Sequence, residues 1–541
     1  MLIDLFFHQG KHITFDGHVH MTTMAQFASA LKDGEFPVTW ANNFANYGLP
    51  LPIFAHQLPA YLGALFILLG FSVLGAYNLT LFLAVLLSSL FFYVFARKYA
   101  KANIALVATI LMNIVPYRIA NIYIRGGLPE ILASVFYPLI LLSIYQFNKK
   151  KKKIALVLIA LAVFLLAITH PMMLLIFAIP LTIYFLATLE KKQWQKKILL
   201  ALSAVVLGVF SAAYYLIPLN VEIRYFYQGA VESQINSEQF LNLTNFLSSD
   251  WYYFYAHPGP RGNFIKFGLP EVLIVFLSLI FLFKKLIEKK EKKWKIFFSK
   301  NYFFLSQLLI ALIAIFLMIS VSKVLYSLIP GFASLQYPWR FLVLIQFSVP
   351  LLFLYLVKKI RFLQKPFILL FIVALMLMYR VPQLYGKNYA FLPEEKFYFN
   401  QSNLHSQNLN TVWSAKSESY PVKTKQAEII EGQGTLEIIE LKNASRKYRV
   451  LAETDLRLLD YTFYFPGWQV LANGEALIIQ FQDPEYRGLI TYRLSPGEYE
   501  LELVYLSSTV RLIAQIVSIS AFLASIFASY FLFKKIDFKK F

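Results

Sequence analysis

The chain reads as a polytopic α-helical membrane protein: about eleven transmembrane helices, one interfacial helix near its start, and an all-β sandwich before the last helix. Three features carry this reading. Of 541 residues, 58% are hydrophobic and only 15% charged, against roughly 45–50% and 25% in soluble domains. So large an excess over such a length means repeated bilayer spans rather than one unusually large core. The lysines fall in blocks between the apolar stretches, and a segment near the C-terminus switches to the two-residue alternation of strands.

The apolar spans run 77–96, 102–118, 128–147, 154–169, 172–189, 197–217, 269–284, 302–321, 339–357, 366–380 and 512–533. Each can cross a hydrocarbon core of about 30 Å as a helix, the shorter ones with little tilt. Lysine blocks occupy 149–153, 191–197, 284–295, 358–365 and 534–540. Basic loops stay on the cytoplasmic side, and placing every block inside orients all the spans without conflict. Span 77–96 then runs inward, leaving Arg97, Lys98 and Lys101 in the cytoplasm, while loops 119–127, 218–268, 322–338 and 381–511 face outward. The formal charge of +21 is therefore a record of topology, and no nucleic-acid partner is expected. The stretch 54–74 is long enough to span, but Pro59, Gly63 and Gly70 punctuate it; we expect an interfacial or re-entrant helix with residues 1–50 outside.

This divides the chain into a first extracytoplasmic loop (1–76), a transmembrane domain (77–384), a β-domain (385–507), and a final helix with a basic cytoplasmic tail (508–541). In the β-domain Tyr499, Leu501, Leu503 and Tyr505 alternate with Glu500 and Glu502, Asn473-Gly474 reads as a two-residue hairpin turn, and 435–441 and 448–453 are further strands. A sandwich tethered at both ends by membrane helices is the simplest arrangement. With no cysteine in the chain, packing alone holds it. The first twenty residues are polar, include four histidines, and do not read as a cleavable signal peptide.

Acids are scarce at the outer face, so those present are informative. Asp16 sits in Phe15-Asp16-Gly17-His18-Val19-His20, and Glu130 in Arg125-Gly126-Gly127-Leu128-Pro129-Glu130, where a span begins. An ionisable group at that depth is costly unless paired or facing a wet cavity; equally, Glu130 is well placed to favour a helix N-terminus. Arg125, Arg224 and Arg340 are external cations that topology does not require. Arg340, in Gln336-Tyr337-Pro338-Trp339-Arg340-Phe341, is placed either to clamp a phosphate or to snorkel to headgroups beside Trp339. His8, His12, His18, His20 and His56 crowd the first sixty residues and could hold a divalent metal, but no carboxylate set accompanies them and no cofactor is firmly implied. His170, before Pro171, reads as structural, and Asp250-Trp251-Tyr252-Tyr253 as an interfacial aromatic belt. Neither a G-x-x-x-x-G-K-[ST] phosphate loop nor a G-x-S-x-G elbow is present.

These pieces, in order, match one pattern: Asp16 with His20, Gly34-Glu35-Phe36-Pro37 with Trp40, Tyr47-Gly48-Leu49-Pro50, Arg125-Gly126 with Glu130, the Tyr337–Phe341 motif, and Phe465-Pro466-Gly467-Trp468 with Asn473-Gly474. The chain resembles bacterial membrane proteins called 6-pyruvoyl-tetrahydropterin synthase-related and the similar YfhO group, relatives of the GT-C glycosyltransferase superfamily. The resemblance implies a GT-C-like fold in the cell membrane. It implies inverting transfer of a sugar from a polyprenyl-phosphate donor to an envelope glycan, lipid or protein acceptor on the outer face. Asp16 matches the first-loop acid that acts as general base, and Glu130 by position a second acid. Arg125 and Arg340 would stabilise charge on the leaving phosphate, with His18, His20, Tyr337, Trp339 and Arg224 as further cavity residues. The pattern also has a membrane helix before the first-loop acid, whereas fifteen mostly polar residues precede Asp16, so we expect a truncated start. A W-W-D-Y-G sequence is missing, which disfavours protein N-glycosylation. The alternatives are a transporter or flippase for lipid-linked glycans, disfavoured by the lack of internal repeats, and a glycan-binding scaffold.

Overall fold

The computed structural model describes residues 2–8, 10–42, 47–190, 192–226, 240–242, 245–246, 267–287, 294–329, 331–335, 337–381, 384–386, 389–391, 395–399, 411–414 and 423–534. The expected aromatic belt at 250–253 lies outside these residues.

Among them, seven helices are long and apolar enough to cross a membrane: Val73–Ala96, Leu128–Lys150, Pro171–Thr188, Trp194–Ser211, Ser299–Met318, Pro338–Lys359 and Thr509–Tyr530. An eighth is Ala102–Ile114 with Pro116–Arg125, if a pair bent by 49° counts as one span. The sequence suggested about eleven, and the difference has a physical origin. Ile154–Thr169 and Pro366–Arg380 are helical as expected, but at 1.5 Å per residue they reach only about 22–24 Å. Leu269–Ile287 carries Glu271, Lys284 and Lys285 within its length. The punctuated stretch after residue 54 forms Gln57–Leu68, only about 18 Å long.

The bend at 115 follows from Pro116, which disfavours helical backbone in the residue before it; Val115 is extended. The chain then passes through Pro116–Ala120 into a π-helical turn, Asn121–Arg125, closed by Gly126 at φ +65°. Such turns widen the helix locally and redirect its side chains.

The ends of the helices sort by charge. Lys358 Nζ donates to Tyr99 O at 2.9 Å, Lys197 Nζ to Asn148 O at 3.2 Å, and the Lys149 ammonium lies over the Tyr302 ring, which is next to Tyr99. Basic ends from several helices thus meet on one side. At the other end Phe15 and Asp16 donate their backbone N–H groups to Ile124 and Arg125, and the helix Gly17–Lys32 packs against Gln57–Leu68.

The C-terminal region has two antiparallel sheets. One runs in the order Gly434–Leu441, Ser445–Ala452, Gly497–Tyr505, Trp468–Ala472, Glu475–Leu477; the other in the order Ala427–Glu431, Leu456–Phe463, Leu489–Leu494. Tyr448 and Val450 from the first and Leu458, Ile490 and Tyr492 from the second share one core. Asn473 and Gly474, both at positive φ, form the expected tight turn between Trp468–Ala472 and Glu475–Leu477. Trp40, far away in sequence, enters this core against Trp468 and Tyr505.

Candidate active site

The site begins with close backbone contact. Asp16 N–H donates to Arg125 O at 2.8 Å, and Thr14 Oγ1 accepts from Gly17 N–H at 3.1 Å. A Cβ at Gly126 would stand 2.3 Å from Thr14 Oγ1 and 2.9 Å from Gly17 N, so a residue without a side chain, able to take positive φ, is required there. The π turn and the first loop are in this way locked together, which brings Asp16 to Arg125.

Glu130, 2% exposed, is the hub. Tyr117 Oη donates to Oε2 at 2.6 Å and Asn121 Nδ2 at 3.2 Å. Arg125 binds both carboxylate oxygens, Nη1 to Oε2 at 2.8 Å and Nη2 to Oε1 at 3.1 Å, and also donates to Asn121. Arg340 Nε lies 3.4 Å from Oε1, while its Nη1 donates to Leu335 O at 2.7 Å and contacts Met172 Sδ at 2.8 Å. A buried carboxylate so surrounded is held ionised and immobile. Two guanidiniums against one carboxylate leave the hub with a net positive charge.

The aromatics complete it. Trp339 lies under the Arg125 guanidinium at 4.8 Å and stacks on Tyr337 at 4.9 Å; Arg340 sits over Tyr337 at 5.3 Å. His56 and His170 stack at 4.5 Å between ring centres, and His170 Nε2 is 3.9 Å from Glu130 Oε1. Burial holds both rings neutral, His56 down to about 3 and His170 well below the usual histidine range. His20 feels Arg125 and His170 and is likewise depressed to about 3, chiefly by burial.

Asp16 stands apart from the others in its bonding. It caps Gly17–Lys32 without a side-chain cap bond, and its carboxylate accepts no hydrogen bond from the described residues. Burial raises its pKa above the ordinary aspartate value; Arg125 and Arg340 oppose that and Glu130 adds to it.

Most of the residues singled out from sequence therefore converge: Asp16, His20, Arg125, Glu130, Tyr337, Trp339 and Arg340. His18 lies on the same helix, its pKa lowered by burial and by Lys11. Arg224 is exposed and bonded to Tyr225 Oη at 3.1 Å, beside the sandwich. His8 and His12 diverge from the other histidines to stack on or tilt against Tyr389. Among the described residues no three His, Asp or Glu side chains are arranged to hold a metal ion. Tyr117, Asn121 and Met172 were not anticipated; Asn121, four residues before Arg125, was legible as a helical neighbour.

An array of apolar helices around buried ion pairs defines a membrane protein with a polar site at one end of its bundle. The chain belongs to the 6-pyruvoyl-tetrahydropterin synthase related domain family of membrane proteins, whose profile matches residues 54–385. That span includes His56, Arg125, Glu130, His170 and Arg340 but not Asp16 or the sandwich. No curated protein and no solved structure matches the chain.

Proposed function

We propose that this protein transfers a glycosyl group from a polyprenyl-phosphate donor to a cell-envelope acceptor, at the outer face of the membrane. The outward orientation rests on the gathering of basic helix ends at the opposite side, which the positive-inside rule puts in the cytoplasm. The observation that carries the reading is the contrast between two neighbouring carboxylates. Glu130 is saturated by donors, whereas Asp16 accepts none from the described residues and has a raised pKa.

Asp16 is the general base. It takes the proton of an acceptor hydroxyl as that oxygen bonds to the anomeric carbon from the face opposite the phosphate. The bond from the anomeric carbon to the phosphate oxygen breaks, its electron pair leaves with the polyprenyl phosphate, and the configuration inverts. Arg125 and Arg340 stabilise the charge that develops on the leaving phosphate. Glu130 is a positioning residue that keeps both guanidiniums and Tyr117 in place, and the sandwich helps select the acceptor.

The test is sugar transfer from a polyprenyl-phosphate donor pool in membranes carrying wild type or Asp16→Asn. Loss of transfer in a well-folded Asp16→Asn supports the reading. Equal transfer by both removes Asp16 from the chemistry, and none by either, with a full envelope acceptor mixture, moves the assignment to transport or glycan binding.

A further inference from the structure

Next to the Glu130 hub a cavity opens between the first loop and helix Val73–Ala96, lined by Lys11, His12, Thr14, Tyr77, Asn78 and Tyr389, among others. Tyr77 and Thr14 form the shared wall: Tyr77 Oη is 3.5 Å from Gly126 O, and Thr14 holds Gly17 beside Asp16. Lys11 and His12 form a two-residue strand opposite Ala390 and Tyr389. Two glycines let these backbones close: a Cβ at Gly10 would stand 2.5 Å from Ala390 O, and one at Gly386 2.7 Å from His12 Nδ1.

Lys11 is the one charged side chain among the described residues that line the cavity. No ion pair joins Lys11 to a carboxylate among the described residues, and burial lowers its pKa to about 8. The local acid, Asp4, is occupied by Tyr123 Oη (3.0 Å), Tyr389 Oη (3.0 Å) and Gly386 N–H (2.7 Å). One helical turn before Ile122, which also lines the cavity, Arg118 is 1% exposed; it bonds Ser88 Oγ at 2.5 Å, and its Nε and Nη1 have no partner. A guanidinium cannot lose its proton, and a buried cation without a counter-charge is costly in a membrane-embedded bundle. Arg118 lies outside the lining, so the cation that an anion entering this cavity would meet is Lys11.

We propose that this cavity binds a phosphate group carried on a lipid chain, with Lys11 as the cation that pairs with it. The inference rests on the glycosyl-transfer reading only for which lipid carries the phosphate, and its test needs no turnover. Full-length protein in phosphatidylcholine nanodiscs would be titrated with farnesyl phosphate and, as control, farnesol, following thermal unfolding. Farnesyl phosphate should raise the midpoint, farnesol should not, and Lys11→Gln should weaken the apparent affinity at least tenfold while Lys11→Arg restores it. Repeating the titration in phosphatidylglycerol nanodiscs separates the sources: loss of the farnesyl phosphate shift there, in wild type only, assigns the cavity to membrane headgroups, and its persistence assigns it to a lipid-linked phosphate. Equal affinity in Lys11→Gln and wild type, or an equal shift with farnesol, overturns the proposal. If binding behaves as expected but transfer is not found, the cavity stands and the glycosyltransferase reading falls.

Discussion

At the scale of single residues, the two carboxylates of the site have opposite fates, and their substitutions should separate. Because Asp16 acts unprotonated and its pKa is raised, transfer should fall as the pH drops through a value above the ordinary aspartate pKa of about 3.9. A profile of kcat/KM against pH would show that acid limb in wild type, and Asp16→Asn should lack transfer throughout. Glu130→Gln instead leaves two buried guanidiniums against a neutral amide, which should cost about 3–5 kcal/mol and lower the unfolding midpoint at every pH. His170 adds a pH-dependent contribution. Its folded pKa lies well below the unfolded value near 6.5, so stability is full above that value and declines as the pH falls below it. Thermal unfolding between pH 7 and pH 5 should show the decline, and His170→Gln should make it shallower, with His20 and His56 still contributing.

At the scale of elements, the turn after Arg125 does most to place the site. Gly126 is at φ +65° and has no room for a Cβ, while at Gly127 the nearest atom to an added Cβ is 3.4 Å away. Gly126→Ala should therefore cost more than about 1 kcal/mol, the left-handed penalty alone, and should lower transfer by pushing Thr14 and the first loop off the π turn. Gly127→Ala, one residue on, should be close to neutral in both assays. The same logic explains why Pro116 matters: it breaks the apolar run, and the turn that follows carries Tyr117, Asn121 and Arg125 to one carboxylate.

At the scale of the whole molecule, Asn443 joins the first loop to the sandwich, alongside Trp40 in the sandwich core. Asn443 N–H donates to Asp33 at 2.7 Å, its Nδ2 donates to Glu35 (2.6 Å) and Trp40 O (2.7 Å), and its Oδ1 accepts from Asn42 N–H at 3.0 Å. Asn443→Ala deletes the three side-chain bonds, at about 1 kcal/mol each. Hydrogen exchange across residues 33–42 should accelerate accordingly, with little change in the helices of the bundle. At the far side Arg511 Nε lies 3.3 Å from Glu222 Oε1 and the same side chain bonds the Pro466 carbonyl, so the last helix, the segment after Ala213–Val221 and the sandwich meet at one buried cation.

The sequence alone determined the class of the molecule, because that depends on local properties. Runs of apolar residues, lysine blocks, the two-residue alternation of Tyr499 to Tyr505 and the Asn473-Gly474 turn each need only neighbouring positions to be read. It also exposed most of the site, since an acid or arginine at a membrane-facing helix start stands out against an apolar background. Only the tertiary structure decided what those residues do. That Glu130 is saturated and Asp16 is not, that His56 stacks on His170, and that Trp40 belongs to the sandwich core are all contacts between distant segments. Such contacts are set by how the helices pack, and a linear pattern holds no record of them. Hydropathy likewise reports how apolar a run is, whereas how much of that run stays in one straight helix depends on breaks such as Pro116 and on the packed neighbours.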